Sequence, residues 1–203
     1  MKIFCVGRNY ALHAKELGNA VPEAPVIFMK PATALLKDNN PFYYPEFSKG
    51  IEYECELVLK ICKNGKHIAE KFAPDYYQEI GLGIDFTARD LQSQLKEKGL
   101  PWELAKAFDN SAVLGSFIDK KNIPNLQSIA FEMTKNNEIV QAGNSSDVLF
   151  SFDYLIHFIS TYFTLNTGDL IYTGTPAGVG KIAIGDVYEG KLEGQTLFHC
   201  EIK

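Results

Sequence analysis

The sequence predicts an α+β fold rich in strands: a mixed, largely antiparallel sheet curled into a β-roll or barrel, with a few flanking helices. Short apolar runs bounded by turn residues recur along the chain and outnumber the helical stretches. These runs do not alternate regularly with helices, as a doubly wound fold would require. Pro and Gly are spread evenly, with no internal repeat and no linker between two compact halves, so the 203 residues (1–203) read as one domain.

Taken in order, residues 2–6 form the first apolar run and predict a strand. A short helix is expected over 10–17, then strands over 26–29, 54–62 and 79–84. A second helix is expected over 87–98, stopped by Gly99-Leu100-Pro101. Strands follow over 130–134 and 139–142, then a third helix over 151–162 with Ser151 as its cap, and a strand over 169–172.

Composition bounds the function. Hydrophobic residues make up 46% of the chain and aromatics 12%, enough to build a packed core. With 20 basic against 25 acidic residues, a net charge of -5 and no long basic block, the chain has no electrostatic footprint for nucleic acid, and an anionic substrate needs a local positive site. The N-terminal apolar stretch, Ile3-Phe4-Cys5-Val6, is too short for a signal-peptide core or a membrane span. Cys5, Cys55, Cys62 and Cys200 include no CxxC pair, which argues against a zinc knuckle or a disulfide framework and predicts a cytoplasmic protein with no membrane partner.

The segment Ile51-Glu52-Tyr53-Glu54-Cys55-Glu56-Leu57 carries three glutamates at alternate positions, which on a strand share one face. Clustered carboxylates repel one another and call for a compensating cation; an acidic face turned to solvent is the other reading. Asp85 ends the apolar run 79–84 just before the second helix, where it reads either as a third ligand or as a helix cap. Three carboxylates without His or Cys suit Mg²⁺ or Mn²⁺ better than zinc and leave coordination positions for water and substrate.

Six ordered landmarks complete the pattern: Gly7-Arg8-Asn9-Tyr10 with His13 and Glu16; Phe28-Met29-Lys30-Pro31; Tyr53-Glu54-Cys55-Glu56-Leu57; Asp85-Phe86-Thr87-Ala88-Arg89-Asp90; Leu100-Pro101-Trp102 with Ala105-Lys106; and Thr173-Gly174-Thr175-Pro176. Over nearly its whole length the chain resembles the fumarylacetoacetate hydrolase family, particularly its short acylpyruvase and oxaloacetate decarboxylase-like members. The resemblance implies the β-roll of that family, a homodimer, and Mg²⁺ or Mn²⁺ held by Glu54, Glu56 and Asp85, with Glu52 outside the ligand set. It further implies a lid segment whose His13–Glu16 dyad activates water, and Lys106 stabilising negative charge on the substrate. Arg89, Gln92, Thr173, Gly174 and Thr175, with Lys30 as a weaker match, are implied to meet the substrate.

His13 and Glu16 lie three apart on a helix and can touch, and Arg89 and Gln92 share the same spacing. The glycine-rich run 172–181 is not a phosphate loop: Thr175 stands where that motif needs its first glycine and Ile182 where it needs Ser or Thr. The implied activity is divalent-metal-dependent hydrolysis of the C–C bond of acylpyruvates, such as acetylpyruvate or fumarylpyruvate, with pyruvate leaving as a metal-stabilised enolate. Decarboxylation of oxaloacetate, another small 2-oxo acid, uses the same enolate. The alternatives are an isomerase or hydratase of 2-oxo-dienoic acids from aromatic degradation and, from another class, a catalytically silent metabolite-binding protein.

Overall fold

The computed structural model describes residues 1–16 and 21–203. In chain order the elements begin with β1 (Ile3–Gly7), α1 (Ala11–Glu16), β2 (Val26–Lys30), β3 (Leu35–Leu36), β4 (Ile51–Tyr53) and β5 (Cys55–Ile61). They continue with β6 (Tyr77–Asp85), β7 (Thr87–Ala88), α2 (Arg89–Glu97), α3 (Glu103–Lys106), β8 (Ala112–Asp119), β9 (Ala130–Lys135) and β10 (Glu138–Asn144). The last are α4 (Phe152–Tyr162), β11 (Leu170–Tyr172), β12 (Gly180–Lys181), β13 (Val187–Leu192) and β14 (Gln195–Glu201).

A seven-stranded sheet runs β2-β1-β11-β5-β6-β8-β3, a four-stranded sheet β10-β9-β13-β14, and a small one β12-β4-β7. Pairing is antiparallel except for β1 with β11 and β3 with β8. Strands β13 and β14 pack against β6 and β8, folding the four-stranded sheet over the larger one. This is the mixed, mainly antiparallel roll that the sequence predicts.

The central strands explain the site. β5 is buried at six of its seven positions, Glu56 among them, so it is a strand covered on both faces rather than an alternating one. Its pairing with β6 sets Cys55 against Ile84; one step further the ladder places Glu54 beside Asp85, whose backbone N–H donates to the Glu54 carbonyl at 2.8 Å.

Local signals hold at the helices. The Ser151 hydroxyl accepts from the Tyr154 N–H at 3.1 Å and caps α4. Helix α2 stops as expected at Gly99, in the left-handed region with φ 65°, with Leu100 N–H donating to the Leu95 carbonyl and Gly99 N–H to that of Lys96. It starts two residues later than expected, because Thr87 and Ala88 pair with Glu52 and Ile51 of β4 first. The helix expected over 10–17 is observed as α1; Leu17 lies outside the described residues.

One expectation fails. Glu52, Glu54 and Glu56 do not share a single strand: the chain breaks at Glu54, β4 joining the small sheet and β5 the large one. Glu52 pairs with Arg89, while Glu54 and Glu56 are buried. No helix among the described residues is long and apolar enough to cross a membrane.

Candidate metal centre and active site

Glu54, Glu56 and Asp85 are all buried, and one ligand oxygen from each lies within 4.8 Å of the others, close to the about 4.2 Å spanned by two metal–oxygen bonds of about 2.1 Å. Burial at this depth excludes the solvent-facing acidic strand. It also excludes the helix-cap reading of Asp85, since the cap position of α2 is Ala88.

Buried carboxylates need partners, and the fold supplies them. Lys106 Nζ, at the end of α3, bridges Glu54 Oε2 at 2.7 Å and Asp85 Oδ2 at 2.8 Å. Arg89 donates through Nη2 to Glu54 Oε1 at 2.5 Å, through Nε to Glu52 Oε2 at 2.7 Å and through Nη1 to Gln92 Oε1 at 2.6 Å. Burial raises the Glu54 pKa, but Lys106 and then Arg89 outweigh it and hold the carboxyl well below the usual range. Glu56 behaves oppositely: burial, then Asp85 and Glu54, push it well above that range, against the pull of Lys106 and the Gly174 N–H at 2.7 Å.

The residues fit a divalent ion. Asp85 Oδ1 is buried with no hydrogen-bond partner; Lys30 Nζ sits 2.7 Å away as an ion pair, but outside hydrogen-bond geometry. A neighbouring cation would relieve both this orphaned oxygen and the raised Glu56, and an all-oxygen donor set suits Mg²⁺ or Mn²⁺.

His13 is buried, with Nδ1 3.2 Å from Glu16 Oε2. The Glu16 carboxylate accepts from the Gly178 N–H at 3.0 Å, tying α1 to the 172–181 turn. Gly178 has φ 99°, and a Cβ there would stand 2.6 Å from the Val140 carbonyl, so only glycine fits. His13 lines one cavity together with Glu54, Glu56, Arg89, Gln92, Lys106 and Thr175. Its free volume is ≈ 30 Å³, room for about one water.

Three expected substrate contacts are occupied within the protein. Lys30 is buried under the site, donating to the carbonyls of Phe86, Lys106 and Ser111 and to the Ser111 hydroxyl, because a buried ammonium must satisfy all its protons. The Thr173 hydroxyl donates to the Leu57 carbonyl at 3.0 Å, and Gly174 spends its N–H on Glu56. None of the three lines the cavity. Thr175 does, although its hydroxyl donates to the Cys55 carbonyl and accepts from Gln141.

The sequence reading gave no role to several residues placed here. Arg8, Phe28, Lys96 and Trp102 also line the cavity. Lys96 was findable, standing seven residues after Arg89 and four after Gln92 on one face of α2. Gln141 joins Cys55, Thr175 and Pro176, and Asn9 joins Phe150 to Thr173; no local signal points to either.

Comparison with known proteins identifies the family. The family model described as fumarylacetoacetate (FAA) hydrolase C-terminal matches residues 2–202. The chain is 40% identical over 201 residues to oxaloacetate tautomerase FAHD1, mitochondrial, of Mus musculus, covering 99% of this chain and 91% of the relative. It is 42% identical over 194 residues to oxaloacetate decarboxylase, mitochondrial, of Dictyostelium discoideum, covering 95% and 89%. Among solved structures, fumarylpyruvate hydrolase from Pseudomonas aeruginosa in complex with Mn²⁺ and pyruvate superposes with a TM-score of 0.94 at 33% identity, covering 100% of this chain and 89% of that one. The chain is an enzyme of the fumarylacetoacetate hydrolase family.

Proposed function

We propose that this chain is a divalent-metal-dependent enzyme acting on small 2-oxo acids, hydrolysing the C–C bond of acylpyruvates and also turning over oxaloacetate. The observation that carries the reading is a buried carboxylate trio, two members of which, Glu54 and Glu56, line one cavity together with His13 of the His–Glu dyad. Mg²⁺ or Mn²⁺ held by Glu54, Glu56 and Asp85 would supply Lewis acidity toward the vicinal oxygens of a 2-oxo acid. The Mn²⁺ and pyruvate of the Pseudomonas aeruginosa structure support that pairing.

His13 has Nδ1 engaged by Glu16 and Nε2 without a partner among the described residues, available to act as a base. In hydrolysis His13 takes a proton from water, whose oxygen attacks the distal carbonyl carbon; the bond to C3 breaks, the acyl group departs as a carboxylic acid, and pyruvate leaves as its enolate. Lys106 and Arg89 contribute positive charge beside that enolate, which is protonated at C3. Oxaloacetate is the second reading, favoured by the relatives at 40% and 42% identity: losing its terminal carboxyl as CO₂ generates the same enolate, and moving a C3 proton to the keto oxygen interconverts its tautomers. Water activation by His13 is needed in the hydrolysis alone.

The proposal extends to one catalytic domain, assembled as a homodimer in the cytoplasm. Both curated relatives are named mitochondrial, and four free cysteines fit any reducing compartment. The test is pyruvate release from acetylpyruvate, fumarylpyruvate and oxaloacetate across a metal panel, with His13→Ala alongside. Metal-independent turnover rejects the mechanism. Loss of hydrolysis with decarboxylation spared supports water activation by His13, whereas equal loss of both rejects it.

A further inference from the structure

Two of the cations that line the cavity, Arg8 and Lys96, stand outside its ion pairs. Four carboxylates, Glu52, Glu54, Glu56 and Asp85, are met by three cations, Arg89, Lys106 and Lys30, every one of them in an ion pair. A divalent ion and the carboxylate of a 2-oxo acid would bring that inner group to neutrality. Arg8 and Lys96 line the same cavity, yet neither has a carboxylate partner among the described residues, and residues 14, 15 and 17–20 include no Asp or Glu.

The two cations line the same cavity, and each carries the same charge toward it. Burial lowers the Lys96 pKa first, and the largest charge effect after it is Arg8, followed by Arg89 and Lys106. Glu54 offsets these effects only in part, and the remaining like-charge repulsion is a cost that a bound anion would reduce. Their surroundings are built: Lys96 Nζ lies 5.3 Å from the Trp102 ring centroid, and Trp102 packs 6.0 Å from Phe28, an apolar wall beside the charges. Arg8 adopts φ 65°, a left-handed conformation costly for a non-glycine residue, between β1 and the pinned Asn9. Both cations are half-buried, whereas the carboxylate trio is fully buried, so they stand toward the solvent side of the cavity.

We infer that Arg8 and Lys96 form a second carboxylate subsite, so that the preferred substrates are dicarboxylic 2-oxo acids, with one carboxylate at the metal centre and the other between these two cations. The inference rests on the 2-oxo acid reading proposed above and adds what decides specificity within it. A carboxylate bound by an arginine and a lysine gains charge-assisted hydrogen bonds that a neutral acyl tail does not.

The test uses two unreactive ligands of equal chain length, 2-oxoglutarate and 2-oxovalerate, which differ only in the distal carboxylate, titrated calorimetrically into the Mn²⁺-loaded protein. The wild type should prefer 2-oxoglutarate by about tenfold or more. Lys96→Met, which keeps the apolar stem, and Arg8→Asn, whose new residue tolerates the left-handed backbone, should each pull that ratio toward one. In kinetics, the same variants should lower kcat/KM for fumarylpyruvate more than for acetylpyruvate by a similar factor. Equal affinity of the wild type for both ligands overturns the subsite and leaves the 2-oxo acid reading standing. A preference that survives both substitutions also overturns it, and binding of neither ligand removes the underlying reading and the subsite with it.

Discussion

Replacing Lys30 by Met tests whether the centre stands on a buried scaffold cation. Lys30 Nζ touches Asp85 Oδ1 at 2.7 Å, the Ser111 hydroxyl and carbonyl at 2.9 and 3.0 Å, the Phe86 carbonyl at 3.3 Å and the Lys106 carbonyl. Methionine nearly matches its volume, so packing changes little, but Asp85 loses one of two cations and the carbonyls lose a donor. Removing one partner of a buried ion pair costs about 3–5 kcal/mol. At about 2–4 °C per kcal/mol for a chain of this size, Tm should fall by roughly 6–20 °C. Denaturant and thermal unfolding in EDTA measure it without a metal to compensate Asp85, and Mn²⁺ should recover part of the loss. A destabilisation below about 1 kcal/mol would falsify the scaffold role and return Lys30 to the substrate side of the site.

Three further outcomes follow from the same geometry. Saturating Mn²⁺ at about 100 times its Kd should stabilise the protein by about 2.7 kcal/mol, and Asp85→Asn should abolish the gain; an undiminished gain in the variant places the ion elsewhere. Gly178→Ala should cost more than about 1 kcal/mol and lower turnover, since its Cβ meets the Val140 carbonyl and displaces the N–H that holds Glu16; a normal melt with normal kcat contradicts this. Ser151→Ala should lose about 1 kcal/mol in urea unfolding with kcat unchanged, because the cap on α4 lies outside the site; an unchanged midpoint refutes the capping contribution.

What the sequence revealed follows the range over which each feature acts. The α4 cap, the glycine stop of α2 and the His13–Glu16 contact depend on residues within five positions, and all are found where local rules put them. The strand 54–62 was legible because burial on both faces leaves the apolar cluster Leu57-Val58-Leu59 with Ile61 beside it. Strands β13 and β14 were not: they alternate buried and exposed residues over much of their length, and β13 carries a glycine where its ladder shifts. The break at Glu54 was hidden too, since nothing in Ile51-Glu52-Tyr53-Glu54-Cys55 distinguishes one strand from two that part into different sheets.

At the site, residue type indicated charge and hydrogen-bonding capacity but not which partner would use it. Lys30, between Met29 and Pro31, reads by resemblance as a weaker ligand contact until the fold surrounds it with four backbone and hydroxyl oxygens and a carboxylate. Burial explains the shift in role. A group taken fully out of water must find every partner inside the protein, so the deepest polar residues, Lys30 and Thr173, are consumed by scaffolding. Half-buried Arg8 and Lys96 keep their donors for something that arrives from solvent. Burial alone does not decide the role, since buried His13, Gln92, Lys106 and Thr175 still line the cavity; what separates Lys30 and Thr173 from them is that their polar atoms are spent on the protein away from it.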